Sequence, residues 1–218
     1  MTDYLAILKR VGIVLVLFGL ADIAFMIYSV SKGQSYSSSF NIFAVIAGIF
    51  LLRGNLTAAR KVTWFAARML AGFVAAIFLL VPIVPSIGLL LVQAKLNPAS
   101  TFAMGLLLVA VLVLLVWVYR QLRSGPVLDA LEASGRSTTV PKLAFGLGFA
   151  LVVFLAVALN MTVNGAAGAK AIELAYQKLG PGYNYAFKSI QWGSGHSSAV
   201  VAAYNSNEIK YVSVEWSE

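Results

Sequence analysis

The chain has 218 residues, a formal net charge of +8 and no cysteine; 60% of its residues are hydrophobic and 11% are charged. Charged residues make up about a quarter of an ordinary soluble domain, so this composition excludes that class and indicates a protein of the lipid bilayer. The missing cysteines exclude disulfides, cysteine-ligated zinc and iron–sulfur clusters. The basic residues fall between apolar segments instead of sharing one polar face, which argues against a nucleic-acid partner.

Five apolar segments are long enough to cross about 30 Å of hydrocarbon as helices. We expect them at approximately 11–30, 40–56, 62–84, 101–119 and 143–163. The second is the least regular, because Arg53 interrupts it, and we expect this side chain to reach the headgroups from the end of the helix. Small residues such as Gly12 and Gly72 favour close approach between helices.

The charges of the loops predict the orientation. If the five helices alternate, ten basic residues fall on one side and only Lys32 and Lys95 in the opposite loops. The ten are Lys9, Arg10, Arg53, Arg60, Lys61, Arg68, Arg120, Arg123, Arg136 and Lys142. Positive loops face the cytoplasm, so we expect a bacterial inner (plasma) membrane protein with a cytoplasmic N-terminus and a periplasmic or extracellular tail.

Two shorter helices are predicted between the spans. Pro82 and Pro85 end or kink the third span, and residues 86–96 then fit a short interfacial helix. In the loop before the last span, a Ser-Gly-Pro sequence opens a helical pattern that stops at Gly135. We expect this helix, within 124–135, to rest on the membrane surface.

After the fifth span the composition changes, which predicts a helical domain over 1–165 and a small domain over 166–218. Apolar residues at helical spacing predict a helix over 169–179, and Gly180-Pro181-Gly182 ends it. Strand-like runs follow at 183–192, 197–204 and 209–216, separated by turn sequences. The expected fold class is an integral membrane α-helical bundle with five transmembrane helices, followed by a small α+β C-terminal domain of one helix and a three-stranded antiparallel meander.

Asp22 is the one acidic residue between Asp3 and Asp129, and it falls inside the first apolar segment. Burying a carboxylate in the bilayer is expensive, so this position needs an explanation beyond packing. Three interpretations stay open. Asp22 is a neutral carboxyl hydrogen-bonded inside the bundle, the partner of Arg53 or Arg68 in an ion pair, or a protonatable group in a proton or cation path.

The sequence gives little indication of catalysis. His196 is the sole histidine and lies in a predicted turn with Ser194, and no acid is placed to orient such a pair. A metal site needs three or four ligands, which the tail does not supply. We therefore expect no enzyme activity, no metal and no cofactor.

Two functions remain. The first is a non-catalytic accessory, assembly or regulatory protein that presents its small outer domain to another membrane protein or to a second copy of itself. About fifty residues make a marginal core, and aromatic side chains commonly anchor interfaces. The candidate partner surface is Tyr183, Tyr185, Trp192, Tyr204, Tyr211 and Trp216. The alternative is a small transporter or channel that uses Asp22 in the bundle, with Arg53 and Arg68 as candidate companions.

Overall fold

The computed structural model describes residues 3–33, 40–83, 86–193 and 195–217, without the side chains of Phe40 and Asn41. Pro85 and Ser194, which entered the sequence predictions, lie outside the described residues. Eight helices and three strands form within the described ranges. In chain order they are α1 (Asp3–Ser31), α2 (Phe40–Leu52), α3 (Leu56–Leu79), α4 (Ile87–Leu96), α5 (Pro98–Leu122), α6 (Gly125–Ala133), α7 (Lys142–Val163), α8 (Ala166–Leu179), β1 (Asn184–Trp192), β2 (His196–Tyr204) and β3 (Ile209–Ser217).

Four helices, α1, α3, α5 and α7, are long and apolar enough to cross a membrane. Much of their apolar surface is exposed: Phe102 on α5 is 72% exposed and Phe154 on α7 is 70% exposed. Such surface is compatible with a membrane protein, because an aqueous protein rarely exposes so much contiguous apolar area. The helix α2 has 13 residues and extends about 20 Å, less than a full span. The fifth crossing therefore stays a prediction.

The helix ends have local causes. α2 stops at Leu52 because Gly54 adopts a positive φ of 71°, a left-handed conformation that glycine takes without steric cost. α1 starts at Asp3, well before the apolar run at 11, because Lys9 and Arg10 are good helix formers that continue the helix into its polar end. The bounds of α1 therefore exceed the apolar segment from which its span was predicted, whereas α2 ends before the predicted residue 56.

The chain forms two compact units. Unit 1 comprises Met1–Leu70 and Val113–Phe145, and unit 2 comprises Ala71–Leu112 and Gly146–Glu218. The helices α3, α5 and α7 contribute residues to both units. The predicted division at 165/166 stays a prediction about domains, although α8 does begin at Ala166, directly after Gly165.

In unit 1, α1 and α2 pack against each other through their backbones. A Cβ atom added to Gly12 would lie 2.7 Å from the carbonyl oxygen of Gly48, and one added to Gly48 would lie 2.7 Å from that of Gly12. Because no side chain separates them, the two helices approach closely. An apolar core joins α1, α2, α3, α5 and α6; its buried residues are Leu8, Val11, Leu51, Ala59, Ala66, Val118, Leu122, Val127 and Leu131.

The sequence prediction of a helix within 124–135 is confirmed by α6, which has a proline in its first turn. Val127 is fully buried and Leu131 is 4% exposed in the unit 1 core, so one face of α6 packs against the other helices. Its position on a membrane surface stays a prediction.

In unit 2, the three strands form an antiparallel sheet of order β1-β2-β3, which confirms the predicted meander. α8 packs on one face, where Ala171 and Ala175 meet Phe187, Val201 and Val214 in a buried core. The prediction of the helix is confirmed, with its start at Ala166 instead of 169. The helix is longer because Gly165 supplies an extended N-cap and leaves the next residues free to join it.

The opposite face of the sheet is partly covered by α4. Leu89 packs with Ala186 and Ala202, and Gly88 approaches the ring of Tyr204. The predicted short helix is confirmed, with Ser86 as an N-cap whose hydroxyl accepts a hydrogen bond from the Leu89 N–H. Its packing on the sheet was not predicted. The marginal core of the tail is thus supplemented by a helix that ends almost ninety residues before β1 begins.

Candidate functional site

Two tryptophans lie in one row across the sheet. Ser197 on the central strand pairs with Trp192 on β1 and with Trp216 on β3. Neighbouring strands are about 4.8 Å apart, which places the two tryptophan backbones about 10 Å from each other. Ser197 is 1% exposed, whereas Trp192 is 60% exposed and Trp216 is partly buried against the α8-side core. We call this arrangement the Trp192–Trp216 row.

The predicted partner surface is divided between the two faces of the sheet. Side chains alternate along a strand, so Tyr185, Trp192 and Trp216 share the face covered by α8. Tyr204 and Tyr211 lie on the face covered in part by α4. Trp192 and Tyr211, the most exposed of these aromatics, therefore point in opposite directions. A single flat partner cannot cover all six predicted residues.

Tyr183 belongs to a polar cluster at the β2–β3 turn. Its hydroxyl donates a hydrogen bond to Glu208 and accepts one from Lys210 at 2.6 Å, and Lys210 also forms an ion pair with Glu208 at 2.8 Å. The hydrogen bond from Lys210, followed by that from Tyr183, lowers the pKa of the Glu208 carboxyl below its usual 4.5. The same contacts, led by Glu208, raise the pKa of Lys210. Tyr183 therefore stabilises this turn through its hydrogen bonds with Glu208 and Lys210.

Two more of the predicted aromatics have internal partners. The Tyr185 hydroxyl donates to the carbonyl oxygen of Gly180 at 2.6 Å, which joins β1 to the end of α8. Burial, followed by the nearby Tyr176 and Tyr183, raises the pKa of the Tyr185 hydroxyl. Tyr204 packs against α4. Trp192 is the residue of the set that combines high exposure with a large neighbouring aromatic in the same row.

Both edges of the sheet carry features that hinder the addition of another strand. β1 has a bulge between Phe187 and Ser189, and the bulged Lys188 places its ammonium 4.0 Å from the centre of the Tyr211 ring. On β3, the carbonyl oxygen of Ser213 accepts a hydrogen bond at 2.9 Å from the ammonium of Lys178, which belongs to α8. Bulges and edge lysines are common protections against edge pairing. Side-chain faces are therefore better candidates for contact than the strand edges.

Asp22 and Arg53 lie far apart. A Cβ atom on Gly54 would lie 2.6 Å from the Leu5 side chain, so the end of α2 is level with the start of α1. Leu5 precedes Asp22 by 17 residues, about 25 Å along a helix. Arg53, next to Gly54, cannot span that distance. The structure does not bring this pair together. Asp22 is half-buried and interacts with a neighbouring group.

Arg68, the other predicted companion, is half-buried near the middle of α3. Its Nε is buried and has no hydrogen-bond partner among the described residues. An unsatisfied buried donor costs about 1–3 kcal/mol. Arg68 is therefore the polar group of the long helices whose surroundings most call for a further partner, and its pairing with Asp22 stays a prediction.

Sequence reasoning missed two basic clefts in unit 1. Phe50, Arg53 and Arg136 line an open cleft of about 500 Å³, in which Arg136 donates to the Thr57 hydroxyl at 2.9 Å. A second cleft of about 260 Å³ brings together Arg60, Arg123 and Lys142; we call it the Arg123 cleft. These residues appeared in the sequence as loop charges. Their spacing, over eighty residues of chain, gave no signal that they would converge.

No group of three potential metal ligands occurs in the described part of the chain. His196 begins β2 and is exposed, so it is a strand residue and not the turn residue that was predicted. The strand is longer because the Gly193 N–H donates to the His196 carbonyl oxygen at 2.9 Å and closes the hairpin there. The expectations of no catalysis, no metal and no cofactor stay predictions.

No protein-family model matches the chain, and no curated protein and no solved structure is similar enough to match it. The described residues nevertheless define a class. The protein is helical, with four helices long and apolar enough to cross a membrane and a C-terminal antiparallel sheet.

Proposed function

We propose that the protein is a non-catalytic accessory, assembly or regulatory protein of a membrane. In this proposal five helices anchor the chain in a bacterial inner membrane, with the N-terminus in the cytoplasm. The C-terminal domain lies outside and contacts another membrane protein or a second copy of the chain. The exposed Trp192, in one row with Trp216, is the observation that carries the proposal.

The core of unit 1 supports five crossings. Leu8 near the start of α1, Leu51 at the end of α2 and Ala59 at the start of α3 belong to the same buried cluster. The chain therefore returns, at the end of α2, to the level at which α1 began. α1 is 29 residues long, about 43 Å, which is more than the hydrocarbon thickness. If α1 crosses the membrane, the chain must therefore cross it a second time, through a segment that includes α2, to return to this level.

The geometry of the domain supports contact through the Trp192–Trp216 row. Tryptophan is enriched at the energetically dominant positions of interfaces, and an exposed one beside a packed one offers a large apolar area with little loss of side-chain entropy. The strand edges are protected, and four of the other aromatics have internal contacts or lie on the opposite face. These features favour the row over the edges as the partner surface.

The proposal is tested by native mass measurement of the full chain purified from membranes in mild detergent. We expect a species heavier than the monomer, whose mass distinguishes a second copy from a different partner. Trp192→Ser should raise the dissociation constant of this species at least about ten-fold, as expected when an anchor worth about 2 kcal/mol is removed. Tyr211→Ser, a control of similar exposure on the opposite face, should leave it intact. A monomer in every preparation would contradict the proposal.

A small transporter or channel is the second candidate, and the buried Nε of Arg68 is the observation that favours it. Charged groups inside membrane helices commonly mark ion or substrate paths. Proton or cation flux into proteoliposomes is the test. This candidate predicts that Asp22→Asn and Arg68→Gln each abolish the flux, and equal flux in the wild type and both variants would exclude it.

A further inference from the structure

The Arg123 cleft is formed by four separate parts of unit 1. α3 supplies Arg60 and Trp64, the turn directly after α5 supplies Arg123, and the start of α7 supplies Lys142. α6 and the loop after it complete the cleft. None of the described residues that line the cleft is acidic, so its formal charge is +3. Three cations in one concave site, with no acidic residue among its described lining residues, favour an anion there.

The cleft is held in shape by Arg123. One of its terminal nitrogens, Nη1, donates to the carbonyl oxygens of Thr138 and Thr139, at 2.6 and 3.1 Å. The hydroxyls of Ser137 and Thr139 are 2.9 Å apart and bond to each other. This loop is thereby fixed with two hydroxyl groups next to the basic side chains. The contacts of Arg123 with the loop use Nη1 alone, which leaves the other edge of its guanidinium for a ligand.

The start of α7 adds to the positive potential. The first turn of α7 has no acidic residue and begins with Lys142, although the N-terminal end of a helix already carries a partial positive charge. Arg60 and Lys142 are both exposed. A cation at this end is unfavourable by itself, and a bound anion would offset it.

The remaining walls are apolar. Trp64, Leu128, Leu131 and Leu143 also line the cleft. A volume of about 260 Å³ lies below the range of about 300–1,000 Å³ that encloses a drug-sized ligand. The cleft therefore accepts a phosphate with a small attached group while an apolar part of the same molecule stays outside. A phospholipid from the surrounding bilayer has this amphipathic form.

We propose that the Arg123 cleft binds the phosphodiester headgroup of an anionic phospholipid in the cytoplasmic leaflet. Arg60 and Lys142 attract the phosphate, and Arg123 donates to it. The hydroxyls of Ser137 and Thr139 lie within the same cleft, and because they bond to each other, one of the two keeps its hydrogen as a further donor. Basic sites between membrane helices are known to select anionic headgroups in this way. The proposal concerns unit 1 and does not depend on the function of the C-terminal domain, but its assignment to the cytoplasmic leaflet rests on the proposed orientation of the chain.

The test uses the full chain in a neutral detergent, with fluorescent phosphatidylglycerol as the probe and equally labelled phosphatidylcholine as the neutral reference. We expect phosphatidylglycerol to bind at least about ten-fold more tightly. The double variant Arg60→Gln with Lys142→Gln should weaken it by about 25-fold, or about five-fold for each charge. The charge-preserving variant Arg60→Lys with Lys142→Arg should retain binding.

The matched control is Lys9→Gln with Lys61→Gln, which removes two exposed charges from unit 1 that do not line the cleft. We expect less than a two-fold change. An equal loss in both double variants would assign the binding to diffuse charge and overturn the proposal. Inorganic phosphate is added as a competitor. If micromolar phosphate displaces the lipid, the cleft is a site for soluble phosphate and the lipid assignment is overturned. Weak or absent displacement supports it.

Discussion

The two units of the chain achieve close packing by different means. Unit 1 holds α1 and α2 together by direct backbone contact at Gly12 and Gly48, and it contains eleven of the 16 Lys and Arg residues but four of the eight acids. Unit 2 covers both faces of a small sheet with helices and has nearly balanced charge. The comparison shows that charge excess and helix packing concentrate in one unit, and the compact α+β core in the other.

The largest effect is expected at the junction of α7 and α8 in unit 2. A Cβ atom on Gly168 would lie 1.9 Å from the carbonyl oxygen of Val163, a backbone atom that cannot rotate away. Gly168→Ala should destabilise unit 2 by about 3 kcal/mol or more, at the upper end of overpacking effects. Thermal unfolding followed by tryptophan fluorescence measures it. Gly146→Ala, where an added Cβ has open space, is the control, and equal melting of both variants would show that the junction is not constrained.

A smaller loss is expected in unit 1 at the glycine contact. Gly12→Ala places a Cβ 2.7 Å from the Gly48 carbonyl oxygen, which forces α1 and α2 apart at a cost of about 1–3 kcal/mol. Gly105→Ala on α5, where an added Cβ meets nothing within 4 Å, should be neutral or slightly stabilising. Unfolding in denaturant compares the two. A stable Gly12→Ala protein would mean that unit 1 does not depend on backbone contact.

The contact of α4 with the sheet is tested by a rescue experiment. In Gly88→Ala the new Cβ would lie 2.7 Å from the Tyr204 hydroxyl oxygen, and we expect a loss of about 1 kcal/mol. Tyr204→Phe removes that oxygen and should restore most of the stability in the double variant. The coupling between the two changes is the measurement. Additive effects would indicate that α4 and the sheet do not meet at these residues.

The smallest effect concerns the pH dependence of the β2–β3 turn. The folded-state pKa of Glu208 is lowered from 4.5, so its contribution to stability is present above that pH and is lost as the pH falls through the lower folded value. The raised pKa of Lys210 keeps its contribution up to alkaline pH. Glu208→Gln should lower Tm at pH 7 by at most about 4 °C, and the difference from wild type should vanish below the folded pKa. A Tm difference that stays constant as the pH falls would contradict a stabilising role for the ionised Glu208 carboxyl.

The elements of unit 2 follow from local sequence patterns. Alternating residues such as Val212 and Val214 predict β3, and Gly180 with a positive φ of 76° ends α8 as expected. The division of the aromatics between two faces depends on register, and the bulge at Lys188 shifts that register for Trp192. A one-residue bulge leaves no clear trace in an exposed strand, so the faces could not be assigned from sequence.

The contacts of unit 1 were less predictable. Gly12 indicates close packing, but nothing local identifies Gly48 as its partner, because apolar helices with little amphipathicity do not reveal which face is inside. The Arg123 cleft likewise depends on the fold of the loop after α6. The basic side chains that we propose to bind lipid are brought together by the fold from distant parts of the chain, and no local sequence pattern indicates this grouping.

Site-specific photo-crosslinking in native membranes tests the proposed function most directly. A photoreactive amino acid replaces Trp192 in one strain and the exposed Asn207, in the β2–β3 turn, in a second. We predict a discrete protein adduct from position 192, either a second copy or another membrane protein, and a much weaker one from position 207. Lipid adducts alone at position 192, or equal protein adducts from both positions, would contradict the proposal that the Trp192–Trp216 row is a partner surface.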